Sequence, residues 1–100
     1  IIKDYIESNY CTNIRISMFA EKYFFSQEYL NKLFKNKYGF TIYEYVLKLR
    51  MERAAELLAQ PDIKISDIAE RLGYADNHYF SKAFRNYYQL TPTEYRKGLG

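Results

Sequence analysis

The sequence predicts an all-α fold: two helix-turn-helix units joined by a long linking helix, about seven helices in all. Three observations predict it: an internal repeat, matched helix-start signals in the two copies, and apolar residues spaced for helices throughout. Ile16-Ser17 and Ala20-Glu21 return as Ile65-Ser66 and Ala69-Glu70, 49 residues later. From Tyr29 onward the offset is 50, with Tyr29/Tyr79, Lys32/Lys82, Phe34/Phe84, Asn36/Asn86, Tyr38/Tyr88, Thr41/Thr91, Glu44/Glu94 and Tyr45/Tyr95 identical. The one-residue insertion falls between Ala69 and Tyr79, where a turn is expected, and turns absorb insertions.

An opening helix over residues 2–10 turns Ile2, Tyr5 and Ile6 inward. A short helix follows at about 16–23 and again at 65–72, with Ile16, Phe19, Ala20 and Ile65, Ile68, Ala69 forming i, i+3, i+4 faces. Turns at Phe24-Phe25 and Gly73-Tyr74 lead to second helices at about 26–38 and 76–88. Ser26 and Asp76 are suited to cap them. The expected buried stripes are Leu30, Leu33, Phe34, Tyr38 and Phe80, Ala83, Phe84, Tyr88. Gly39 suits a left-handed helix end.

Thr41-x-x-Glu44 and Thr91-x-x-Glu94 are capping boxes, and Pro92 stands at the first helical position, where no N–H is needed. The linking helix runs from 42 to about 59 with Ile42, Tyr45, Val46, Leu49, Ala54, Leu57 and Leu58 inward, and Pro61 just beyond it. Its length is roughly 27 Å, close to the ~34 Å between major-groove faces on one side of B-DNA. The last helix is expected at 92–97. The domain then divides into a first unit (1–40), the linking helix (41–60) and a second unit (61–100).

In a helix-turn-helix the second helix faces the major groove. Removing the apolar stripes leaves Gln27, Glu28, Asn31, Lys32 and Lys35 outward in the first copy, and Asn77, His78, Ser81, Lys82 and Arg85 in the second. Carboxamides suit adenine, Lys or Arg guanine, and Glu cytosine. Gln27, Glu28, Asn31, Lys32, Asn77, His78, Ser81 and Lys82 are therefore the base-reading candidates. Ser26, Lys35, Thr41, Arg50, Arg85 and Thr91 are the backbone candidates. Arg50 and Arg53 either touch phosphates or pair with neighbours such as Glu52 and Glu56. The Tyr29 and Tyr79 hydroxyls are within reach of a DNA backbone, and the remaining tyrosines are mostly amphipathic core.

The composition narrows the function. A net charge of +3 is mildly basic, and the placement of charge says more than its sum. One histidine, one cysteine and no glycine-rich phosphate loop offer neither a metal cluster nor a catalytic constellation, so no enzyme and no cofactor are expected. Cys11, alone, fits a reducing compartment and reads as a small half-buried residue near a helix end. There is no apolar run long enough for a membrane span and no signal-peptide pattern. A chain opening on Ile1 is expected to be part of a longer protein. The rival reading to DNA binding is a helical protein-interaction module with a degenerate DNA surface.

Three stretches carry a resemblance: Ile63-x-x-Ser66-x-x-Ala69-x-x-x-Gly73-Tyr74; Tyr79-Phe80-Ser81-Lys82-x-Phe84-Arg85; and Leu90-Thr91-Pro92-x-x-Tyr95-Arg96. With Arg50-Met51-x-Arg53-Ala54 they resemble the AraC-type (AraC/XylS) family of bacterial transcription regulators, in its C-terminal DNA-binding domain. The resemblance spans essentially the whole chain. It implies double-stranded promoter DNA as partner, activation through RNA polymerase, and a cytoplasmic protein located on the nucleoid when bound. It implies neither a membrane nor a small molecule for this domain, which is expected to be monomeric, with monomer and dimer both open for the full-length protein. By likeness, Glu28, Asn31 and Lys32 match base-reading positions of the first unit, and Asn77, His78, Ser81 and Lys82 those of the second. Three departures stand out: Phe24 where glycine is common, which implies a differently shaped first turn; Gln89 opposite Gly39; and Ile42 opposite Pro92.

Overall fold

In the computed structural model, which describes residues 2–12 and 16–99, seven helices follow one another and no strand occurs among the described residues. They are α1 (Ile2–Asn9), α2 (Ile16–Tyr23), α3 (Gln27–Tyr38), α4 (Ile42–Leu58), α5 (Ile65–Arg71), α6 (Asn77–Tyr88) and α7 (Pro92–Leu99). α7 runs two residues past its expected end. The chain forms two compact units, Ile1–Leu49 and Arg50–Gly100, and the division falls inside α4. The linking helix thus serves as a wall of each core in turn.

The first unit buries Ile6, Phe19, Ala20, Leu30, Phe34, Ile42, Tyr45 and Val46, with Ile2, Tyr5, Tyr38 and Leu49 packed at the margin. The side chain of Ile16, expected on the inner face of α2, lies outside the described residues. Tyr45 donates its hydroxyl to Glu7 at 2.8 Å, tying α4 to α1. The second unit buries Met51, Ala54, Leu57, Leu58, Ile68, Ala69, Leu72, Phe80, Phe84 and Pro92. Met51 and Leu72, both fully buried, were absent from the expected core. Met51 is hard to anticipate because α4 has no single stripe: residues 42, 45, 46 and 49 form one, and 51, 54, 57 and 58 begin a second out of phase.

Leu33 corrects an expectation. It is 44% exposed, not buried. Leu30 and Phe34 fill the inner positions of α3, and Leu33 is displaced to the rim of an apolar groove of about 270 Å³ beside Ile2, Tyr23, Phe25 and Tyr38. At the other end of the chain, Arg96 donates from Nε to the Leu58 carbonyl and from its terminal nitrogen to the Gln60 carbonyl, both at 3.1 Å. These bonds satisfy carbonyls that the end of α4 leaves without helical partners.

The turns between α2 and α3 and between α5 and α6 are the same structure. Phe24 N–H bonds the Glu21 carbonyl at 3.4 Å and Phe25 N–H the Ala20 carbonyl at 2.9 Å; Gly73 and Tyr74 repeat both bonds to Glu70 and Ala69 at 3.1 and 3.0 Å. This is the Schellman pattern, which needs a left-handed residue after the helix. Gly73 supplies it with φ +87°, and Phe24 adopts it as well, with φ +59°. The expectation of a differently shaped first turn is therefore wrong: the paired hydrogen bonds impose the shape on phenylalanine. The ends of α3 and α6 show the converse. Gly39 (φ +84°) and Gln89 (φ +68°) both bond the carbonyl four residues back at 2.8 Å. Among the described residues each unit thus holds two left-handed positions and fills one of them with glycine.

A non-glycine residue in this region costs about 1–2 kcal/mol. Phe24 is 94% exposed, so its replacement sacrifices almost no packing. Phe24→Gly and Gln89→Gly should each stabilise the protein by about 1 kcal/mol, after the entropy glycine adds to the unfolded chain. Urea titration reads the change; an unchanged or lower midpoint for both would contradict the strain.

Candidate nucleic-acid interface

α3 and α6 begin alike. Ser26 Oγ accepts from Tyr29 N–H at 3.1 Å and Asp76 from Tyr79 N–H at 3.0 Å, so each helix is capped by its predicted residue. These caps fix which face turns outward. Gln27, Glu28, Lys32 and Lys35 are exposed on α3, and Asn77, His78, Lys82 and Arg85 on α6; Asn31 and Ser81 are half-buried at their inner edges. Lys32 and Lys82 occupy equivalent positions, and neither is held in an ion pair among the described residues. On the second unit His78, Ser81, Lys82 and Arg85 line an open polar depression of about 570 Å³, closed on one side by Thr91. Asn86 lines it too. Sequence reasoning did not select Asn86, although its identity with Asn36 across the repeat was a signal.

Other candidates are engaged inside the protein. Arg50 is half-buried with its guanidinium 5.1 Å from the centre of the Tyr74 ring, a cation–π contact within the second unit. Arg53 pairs with Glu56 at 2.9 Å, one of the two alternatives left open for it. That pair is exposed and contributes little. Ser81 donates to the Asn77 side-chain oxygen at 3.4 Å, a long bond that leaves both near the outer face. The rings of Tyr29 and Tyr79 are 46% and 60% exposed, so both remain in reach of an external partner.

Asn31 departs most from expectation. Its Oδ1 accepts the Ile42 backbone N–H at 3.1 Å. An amide N–H only donates, so the atom facing it is the carboxamide oxygen. Ile42 is the first residue of α4, and its N–H has no partner within the helix. The carboxamide named as a base-reading candidate thus has its oxygen turned toward the start of α4.

The starts of α4 and α7 lie beside these faces. Thr41 N–H bonds Glu44 at 2.8 Å and Glu44 N–H returns to Thr41 Oγ1 at 3.1 Å; Thr91 and Glu94 repeat this at 2.9 and 3.1 Å. The backbone bond from Thr41, then its side chain, and more weakly Lys35 hold the Glu44 carboxyl below its ordinary value; Thr91, with Arg85 and Lys97, does the same for Glu94. Burial raises the Tyr88 hydroxyl above its ordinary value, with Tyr87, Tyr95 and Glu52 adding to it, so the hydroxyl stays neutral at physiological pH.

Several comparisons agree with this geometry. A helix-turn-helix domain profile matches residues 19–98. The chain is 38% identical over 98 residues to the Msm operon regulatory protein of Streptococcus mutans, covering 98% of this chain and 35% of that protein. It is 36% identical over 93 residues to the lactose operon transcription activator of Staphylococcus xylosus, covering 93% and 33%. The chain thus spans about a third of the length of these relatives. Among solved structures, the C-terminal domain of the two-component response regulator yesN from Fusobacterium nucleatum superposes with a TM-score of 0.84 at 38% identity, covering 95% of this chain and 93% of that one.

The capping boxes predict a pH dependence. A carboxyl lowered in the folded state stabilises it fully above the ordinary value of 4.5, and that stability is lost as pH falls through the lowered native value. Glu44→Gln with Glu94→Gln should flatten the stability loss between about pH 5 and about pH 3, while leaving the fold intact. Urea midpoints across that range test it; parallel curves for parent and variant would refute the assignment.

Proposed function

Because the chain belongs to the AraC-type helix-turn-helix family of bacterial transcription regulators, we propose that it binds double-stranded promoter DNA through α3 and α6, each reading one major groove. One observation carries this reading. The outer faces of two equivalent helices display the same pattern, with an exposed, unpaired lysine at the same place in each, Lys32 and Lys82. A solvated face on one helix would explain one such pattern. Its duplication on two capped helices that follow identical turns is what base readout requires.

In this reading Gln27, Glu28, Lys32, Asn77, His78, Ser81 and Lys82 meet base edges. Ser26, Lys35, Thr41, Arg85 and Thr91 meet phosphates, as do the tyrosine hydroxyls of Tyr29 and Tyr79. Arg50, held over Tyr74, serves the packing of the second unit. The 17-residue α4 gives a link of about 26 Å, which suits successive grooves on one side of the duplex. In this reading the first unit is 1–40, the linking helix 41–60 and the second unit 61–100, although the two compact bodies meet within that helix, at Leu49 and Arg50. The domain acts as a monomer and as the output of a longer cytoplasmic regulator, dimeric when whole. Activation through RNA polymerase is the favoured sense, supported by the activator named among the relatives.

Fragments selected from random DNA should contain two short boxes about one helical turn apart. On such a site, Lys32→Ala and Lys82→Ala should each weaken binding and make the log–log salt slope shallower by about 0.9 for each phosphate no longer neutralised, with melting temperature nearly unchanged. Retention of full affinity by both variants would reject the assignment of α3 and α6, and a partner-docking surface would then be the better reading.

A further inference from the structure

The first four N–H groups of α4 have no helical acceptor. Thr41 and Glu44 satisfy one another through the capping box. Tyr43, the second residue of the helix, is 74% exposed. Ile42 N–H goes to Asn31 Oδ1. The second unit has the same box but Pro92 in place of Ile42, and proline has no N–H. Ser81, the counterpart of Asn31, is relieved of that duty; its hydroxyl makes a long bond to the Asn77 side-chain oxygen instead.

We infer that Asn31 meets DNA as a donor: its oxygen is turned to the Ile42 N–H, and its Nδ2 hydrogens are the end open to DNA. This rests on α3 being a reading helix. No buried side-chain nitrogen or oxygen among the described residues lacks a partner, and Nδ2 has no protein acceptor, so Nδ2 opens to solvent. A carboxamide reads adenine with both ends, donating to N7 and accepting from the N6 amino group. Asn31 makes only the first kind of contact. It selects an acceptor atom on DNA: a purine N7, guanine O6, thymine O4 or a phosphate oxygen. Oδ1 is held 3.1 Å from the Ile42 nitrogen and turned toward the start of α4, so accepting from N6 as well would take its second lone pair while it stays on Ile42. The two units therefore differ for a chemical reason, since residue 31 has its oxygen turned to a backbone N–H that the second unit, with Pro92, does not have.

The test compares the chain with Asn31→Ala and Asn31→Asp on its selected site. Asn31→Asp keeps an acceptor for Ile42, and so a folded protein, while removing the donors. Circular dichroism melting checks the first half. Asn31→Ala should lower the melting temperature in the native chain but not in an Ile42→Pro background; an equal loss in both would overturn the commitment of Oδ1. Duplex analogues check the second half. Asn31→Ala should weaken binding roughly threefold to tenfold. That factor should survive replacement of each adenine by purine, which lacks the N6 amino group. It should shrink when one acceptor is removed. A 7-deaza purine or 4-thiothymine that shrinks it identifies a base acceptor, and a methylphosphonate linkage identifies a phosphate; both results support the inference. A factor abolished by loss of an N6 amino group would overturn it, as would an unchanged affinity in Asn31→Ala while Lys32→Ala still weakens binding. Loss of effect in Lys32→Ala and Lys82→Ala together would instead reject α3 as a reading helix.

Discussion

The unsatisfied amides at helix starts are the constraint from which the rest of this structure follows. Seven helices among the described residues mean many ends, and each start exposes four N–H groups without helical acceptors. The chain answers with side chains placed to accept: Ser26, Asp76, and the reciprocal pairs Thr41–Glu44 and Thr91–Glu94. Each cap also fixes the rotation of its helix, because the cap residue is extended and the next is helical. With the rotation fixed, Leu30 and Phe34, or Phe80 and Phe84, point inward, and the polar residues between them are left outside. The candidate interface is thus a consequence of capping before it is a set of contacts.

The same accounting explains the helix ends. A helix that must stop and turn sharply closes its last carbonyls with a left-handed residue. Four such positions occur at Phe24, Gly39, Gly73 and Gln89, and glycine fills two of them. At Phe24 and Gln89 the surrounding hydrogen bonds outweigh a residue preference of about 1–2 kcal/mol. Strain of this size is tolerable where the fold over-determines the backbone, and it sits here at the edges of both candidate reading helices.

Much of the arrangement was legible in the residues. The repeat, the capping boxes and the helical spacing gave every helix to within about two residues, because these signals are local and each is tied to a backbone hydrogen bond. Most of the outer faces were legible too, as the complement of the apolar stripes. The misreadings share a cause. Leu33 looked buried because its spacing fits α3, yet whether an apolar residue is covered depends on what packs opposite. Met51 was absent from the expected core because α4 serves two cores whose stripes are out of phase. For Arg50 the residues left phosphate contact and pairing with neighbours open, and its contact with Tyr74, 24 residues away in the chain, was not among the neighbours they offered.

Asn31 draws the line most sharply. The sequence by itself determined that residue 31 lies on α3, between the apolar stripe and the outer face, with a carboxamide suited to DNA. It also determined that Ile42 and Pro92 differ by one N–H. Only the tertiary structure decided that this N–H faces Asn31 across 11 residues of chain and takes its oxygen. Local hydrogen bonding follows from residue order, because its partners lie within a turn of one another. Which distant groups meet depends on how helices pack, and packing sums many weak, non-directional contacts that no short motif encodes.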